Sequence, residues 1–183
     1  MTVTASMGRS AGLVAPDRTG HWHGFGPWVG SPAAYAVEGN RRPAHPNGPP
    51  SATDPEDKKA QHVLARYHEA AGEFSSSSLP PLMTGHWLQK RGQAAAARTW
   101  TDVADAVEWL KQGYTDNPPA ERTDGLRAYV GLDVKLAYAI DALPCGVDIS
   151  WVHYTKSKSL FSASVVCCPN RFHPTLTCPL PPA

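Results

Sequence analysis

The chain has 183 residues, 17 Lys plus Arg against 16 Asp plus Glu, and a formal net charge of +1. That balance excludes a bulk electrostatic attraction to nucleic acid or acidic lipid and leaves only local basic clusters. The length suits one ordinary domain with a tail, and most of the excess of its 18 prolines and 15 glycines over average usage comes from the first fifty-odd residues and the extreme C-terminus.

No apolar run approaches the ~20 residues that span a bilayer. Met1 to Arg9 holds neither a sustained apolar stretch nor a small-residue cleavage site, so no secretory signal is read. The expectation is a cytoplasmic protein without membrane partners, its cysteines kept as thiols or metal ligands by a reducing compartment.

In chain order, residues 1–52 read as an extended Pro/Gly-rich arm in which no helical or strand period persists. Gly39 to Pro43 and His45 to Pro50 carry loop and turn chemistry. The exception is His21-Trp22-His23-Gly24-Phe25-Gly26-Pro27-Trp28, too aromatic for a disordered linker. This segment is expected to pack on the protein's own core or on a partner.

Residues 53–183 read as a single α+β domain, a three-helix core followed by a C-terminal antiparallel β-hairpin. The first helix is signalled by Thr53 and Glu56 at capping-box spacing, with Asp54 as a further cap and Pro55 in the first turn. Ala60, Val63, Leu64, Tyr67, Ala71 and Phe74 then recur at helical spacing, until Ser75 to Pro81 ends the run. Met83 to Leu88 fits a short strand, whereas the alanines between Gln93 and Arg98 favour helix.

A second helix is expected from Thr101, with Val103, Ala106, Val107 and Leu110 as its stripe and Gly113 as its stop. A third follows Asn117-Pro118-Pro119. It has one stripe through Leu126, Val130, Val134, Ala137 and Ile140, and another through Leu132, Leu136, Ala139 and Leu143. Apolar on two sides, it reads as central and buried. Gly131, in its middle, costs roughly 1 kcal/mol against Ala and marks a break or a close contact.

The period then changes to two. Val147, Ile149 and Trp151 alternate with Asp148 and Ser150, and Phe161, Ala163, Val165 and Cys167 alternate with Ser162 and Ser164. Residues 155–159 join these runs as a hairpin loop without glycine.

All four cysteines lie in the last forty or so residues. The hairpin brings Cys145, before its first strand, near Cys167 and Cys168 at the end of its second. His173 and Cys178 lie on the following loop. Cys167 and Cys168 point to opposite faces of a strand, so one of them joins a mononuclear site. The expected set is a structural Cys3His zinc site from Cys145, one of Cys167 and Cys168, His173 and Cys178. No C-x-x-C pair supports it, and buried thiols or disulfides are the competing readings. His21 and His23, at i and i+2 on an extended segment, point the same way and suit a shared metal or phosphate, but no acidic residue follows to complete a triad.

No nucleophile signature and no phosphate-binding glycine loop is present. The function expected is therefore that of a small non-enzymatic binding or accessory protein. It engages a protein partner through His21, Trp22, His23, Phe25 and Trp28, with its tail fastened structurally, zinc being the cofactor considered. One alternative is a small enzyme using a tail cysteine thiolate or a metal-bound water. Another is a nucleic-acid accessory protein whose hairpin tip, Lys156 and Lys158, contacts phosphate. Those lysines equally serve as ordinary edge protection of a strand.

Overall fold

The computed structural model describes residues 20–44, 51–121 and 130–182. Arm residues 1–19, the turn chemistry of 45–50 and Leu126 lie outside them. The strands are β1 (His21–Gly30), β2 (Thr99–Trp100), β3 (Ile149–Tyr154) and β4 (Leu160–Cys168). They form one antiparallel sheet in the order β2-β1-β4-β3. The helices are α1 (Pro32–Ala36), α2 (Lys58–Ser76), α3 (Val103–Asp116) and α4 (Leu132–Ala142). Short 3-10 turns lie at Glu38–Arg41, Thr84–Gln89, Arg91–Gln93 and Ala96–Arg98. No helix among the described residues is long and apolar enough to cross a membrane.

The expected hairpin is present as β3 and β4, in register from Ile149 opposite Val165 to Tyr154 opposite Leu160. Its loop is closed by Thr155 N–H donating to the Ser159 carbonyl (2.8 Å) and Lys158 N–H to the Thr155 carbonyl (2.9 Å). With no glycine available, Lys158 takes the left-handed position at φ 63°, a conformation costing an L-residue about 1–2 kcal/mol.

The aromatic segment is a strand inside the sheet rather than an arm. Its residues His21 to Phe25 pair with Cys168 to Ser164, and after an irregularity Trp28 to Gly30 pair with Ser162 to Leu160. The irregularity falls at Gly26, whose φ of 95° suits glycine. A Cβ there would stand 2.8 Å from the Ser162 carbonyl oxygen. The boundary expected at residue 52 therefore crosses the sheet, with β1 on one side and its partners on the other.

On one face of the sheet lies the larger core. Ala106, Val107 and Leu110 of α3 and Ala139 and Ala142 of α4 pack on Ile149, Trp151, Phe161, Ala163, Val165 and Cys167. This is a pair of helices on a sheet, not a three-helix core. α2 rests on the 3-10 turns instead, and of its residues only Phe74 is buried. It starts later than the capping box suggests: Asp57 is the N-cap and accepts from Ala60 N–H (3.0 Å), while Asp54 accepts from Glu56 N–H (2.8 Å) in the preceding turn.

α3 begins where expected, capped by Asp102 accepting from Ala104 N–H (2.8 Å). It does not stop at Gly113. That glycine faces Phe161 across the core, and Asn117 ends the helix by donating both its backbone N–H and its Nδ2 to the Gly113 carbonyl. α4 starts at Gly131 as its N-cap, so the glycine imposes no mid-helix penalty. It buries one stripe only: Val134 and Ile140 of the other are 55% and 49% exposed, because among the described residues no second layer lies outside the helix pair.

The opposite face is covered by the 3-10 turn Thr84–Gln89, where a strand was one expectation. Phe25, Trp87, Leu88 and Val166 form a smaller cluster there, with the Phe25 and Trp87 rings stacked at 5.0 Å. Covered on both sides, every residue of β4 is buried. Ser162 and Ser164, on the other side of the strand from Phe161 and Ala163, are therefore internal too, and Ser164 Oγ donates to Ser150 Oγ at 3.0 Å.

Candidate metal centre

Strand periodicity places the first three groups of the centre. His21 and His23 alternate with Trp22 on β1, so both imidazoles project from the same face. Register sets His21 opposite Cys168 and Trp22 opposite Cys167. Directly opposed residues share a face, so Cys168 joins the histidines and Cys167 joins Trp22 on the helical side.

The fourth group comes from the tail. Asn170 organises the turn after β4, donating from Nδ2 to both Asp148 carboxylate oxygens (3.0 and 2.9 Å). Its Oδ1 accepts from the Phe172 and His173 amides, each at 3.0 Å. Leu176 then packs against the smaller cluster, and Arg91 donates to Thr177 Oγ1. These contacts deliver Cys178 Sγ to 3.2 Å from His21 Nε2 and 3.4 Å from His23 Nε2. The two Nε2 atoms are 3.0 Å apart. One ligand atom from each of His21, His23, Cys168 and Cys178 lies within 4.8 Å of every other.

Those separations can be set against a tetrahedron. With Zn–N near 2.0–2.1 Å and Zn–S near 2.3 Å, tetrahedral edges are about 3.3 Å for N···N and about 3.6 Å for N···S. The three edges among His21, His23 and Cys178 fall a few tenths of an ångström short of these, and Cys168 Sγ lies within 4.8 Å of all three atoms. Charge agrees as well. Two thiolates neutralise a divalent cation, so a His2Cys2 centre is neutral overall and tolerates burial that a naked charge does not. His23 and Cys168 are buried, and His21 and Cys178 partly so.

The titration behaviour follows from the same burial. Desolvation, with His21 adding to it, lowers His23 to about 4, and desolvation lowers His21 as well. Both imidazoles are thus held neutral, the state that ligates. Burial pushes the Cys168 thiol up to about 12, reinforced by contact with Cys178. A bound cation would supply the charge needed to ionise it.

The expected cysteine site is only partly the set brought together. Cys168 and Cys178 meet, while Cys145 is exposed in the turn that ends α4. Cys167 is buried in the helical core, where its amide donates to Asp148 (2.9 Å) and its thiol to the Leu143 carbonyl (3.6 Å). There burial and Asp148 push it to about 12. His173 lies against His86, ring centres 4.6 Å apart. The other two donor groups of the cluster are the His21–His23 pair. Its spacing was legible; its third and fourth partners were not, since they arrive from about 150 residues downstream.

The other segments considered as interfaces are placed as follows. Trp22 Nε1 donates to the Leu143 carbonyl (3.3 Å), and Phe25 is completely buried. Trp28 is half-buried, 5.8 Å from the Tyr35 ring. Lys156 and Lys158 stand exposed on the hairpin loop, with Lys156 Nζ 3.7 Å from Glu121. No family model, curated protein or solved structure matches the chain.

Proposed function

We propose that this chain is a small non-enzymatic accessory protein whose C-terminal tail is fastened to the sheet by one zinc ion on His21, His23, Cys168 and Cys178. The observation that carries the reading is the convergence of four nitrogen and sulfur donors from β1, the end of β4 and the tail. Four protein ligands complete a tetrahedron, which favours a structural over a catalytic ion. The tail also needs a fastening. Ordering one residue costs about 1–2 kcal/mol, and Leu176 is the tail residue that packs on the smaller apolar cluster, worth about 1.5–3 kcal/mol at full burial.

In this reading the aromatic segment works mainly inward. It leaves a protein partner the outer end of β1, where Pro27 and Val29 are exposed beside Trp28. The nucleic-acid reading is weakened by Glu121, which offsets the charge of Lys156.

Metal analysis of the purified full chain with a thiol titration tests the proposal. One zinc per chain is expected, with Cys168 and Cys178 protected until a chelator is added, and Cys178→Ala should lose the ion. A metal-free protein that takes up no added zinc, with Cys168 and Cys178 as reactive after chelator as before it, would sink the reading.

A further inference from the structure

We infer that Thr99 is a positioning residue for the metal centre, fixing the protonation form of His23 so that Nε2 presents a lone pair to the ion. The inference rests on the zinc reading above but adds to it a residue that does not touch the ion. β2 is only two residues long, yet it sits at the sheet edge with Thr99 in register with His23. His23 Nδ1 lies 3.0 Å from Thr99 Oγ1, and Thr99 Oγ1 lies 3.0 Å from the Ala95 carbonyl oxygen.

The direction of both bonds follows from counting protons. A hydroxyl has one proton, and a carbonyl has none to give. Were that proton aimed at His23, Oγ1 and the Ala95 oxygen would face each other at 3.0 Å as two acceptors. The hydroxyl proton therefore goes to Ala95, and Oγ1 accepts a proton from Nδ1. His23 carries its proton on Nδ1, which leaves Nε2 bare and turned toward His21 Nε2 and Cys178 Sγ.

The support for this relay is itself held in place. The 3-10 turn Ala96–Arg98 runs directly into Thr99, whose N–H closes the turn on the Ala96 carbonyl. Arg98 ties that turn to β1, donating through Nη1 to the Gly26 carbonyl and through Nη2 to the Gln93 carbonyl (3.1 Å). His23 is 1% exposed, so the hydroxyl is the partner within reach of its Nδ1. Ligating histidines are commonly oriented through the second ring nitrogen in this way, by a carboxylate, a carbonyl or a water. A threonine backed by a carbonyl serves the same purpose without adding charge.

The test uses full-length wild type, Thr99→Val and Thr99→Ser. Zinc affinity is read by chelator competition, and the form of His23 by nitrogen-15 imidazole NMR on the metal-free chain. Thr99→Val should bind zinc about 10–100-fold more weakly and move His23 toward the Nε2–H form, while Thr99→Ser should restore both. A valine variant with wild-type affinity, or a folded serine variant as weak as the valine one, overturns the inference. If wild type binds no zinc, the metal reading fails by itself. The imidazole spectrum then decides only whether Thr99 sets the form of His23: an Nδ1–H His23 that shifts in the valine variant upholds that, and an Nδ1–H His23 that does not shift, or an Nε2–H His23 in wild type, overturns it. That last measurement also stands if the valine variant does not fold.

Discussion

The two faces of one sheet are held by different physics. Toward α3 and α4, β4 presents Phe161, Ala163, Val165 and Cys167, and two amphipathic helices close over them. On the other side the same strand presents Val166 and Cys168, and β1 adds His21, His23 and Phe25. That side is closed by 3-10 turns and a proline-rich tail around four buried apolar residues. Burial is non-directional and tolerates imprecision in angle. Where apolar area runs short, directional bonds take over: Lys90 to the Phe74 and Ser77 carbonyls, Asn170 to Asp148, and the His/Cys centre.

The strongest way to probe this division is to damage the helical face and watch the other. Phe161 is completely buried between Gly113 and the sheet. Phe161→Ala should cost about 3–5 kcal/mol in a urea titration, yet the folded variant should bind zinc with wild-type stoichiometry. Loss of the ion from a folded Phe161→Ala protein would show that the two faces are one cooperative unit.

Acid should act through the imidazoles. His23 is held near 4 when folded and returns to its ordinary 6.5 when unfolded. Its folded value is the lower one, so the stability it contributes is complete above 6.5 and is lost as pH falls toward 4. At about 1.4 kcal/mol per unit, the chelator-treated chain should lose roughly 3 kcal/mol over that window. His86 and His153, also lowered by burial, push in the same direction. Urea midpoints of wild type and His23→Gln across this range isolate the contribution of His23; parallel curves would remove it.

The smallest effect concerns Lys90, which is completely buried and caps the C-terminal carbonyls of α2. Desolvation lowers it to about 8. Lys90→Met keeps the stem but strips both carbonyls of a donor, and should cost about 1–3 kcal/mol. Protease cleavage in the link at 77–82 should rise with it. A methionine variant as stable as wild type would mean that apolar contact suffices to hold α2.

What could be read in advance tracks sequence distance. The β3–β4 hairpin and the start of α3 were legible because their partners lie within one supersecondary unit, and because alternation of two and caps such as Asp102 are local signals. The opposite facing of Cys167 and Cys168 followed from the strand period alone. The start of α2 shifted to Asp57 because Asp54 was used in the turn before it. Gly131 turned out to be a cap because its own backbone is extended, at φ −60° and ψ 154°, and α4 begins only at Leu132.

The sequence by itself determined which residue types are available as ligands and which of them share a strand face. His21 and His23 must point the same way, and only one of the adjacent cysteines can join any single site. Tertiary structure decided which partners they meet. Pairing β1 with β4 is a contact between segments about 140 residues apart. It is set by shape, such as Gly26 admitting the Ser162 carbonyl, and by burial on both faces of β4. No local period encodes that choice, so the centre became visible only when the strands stood side by side.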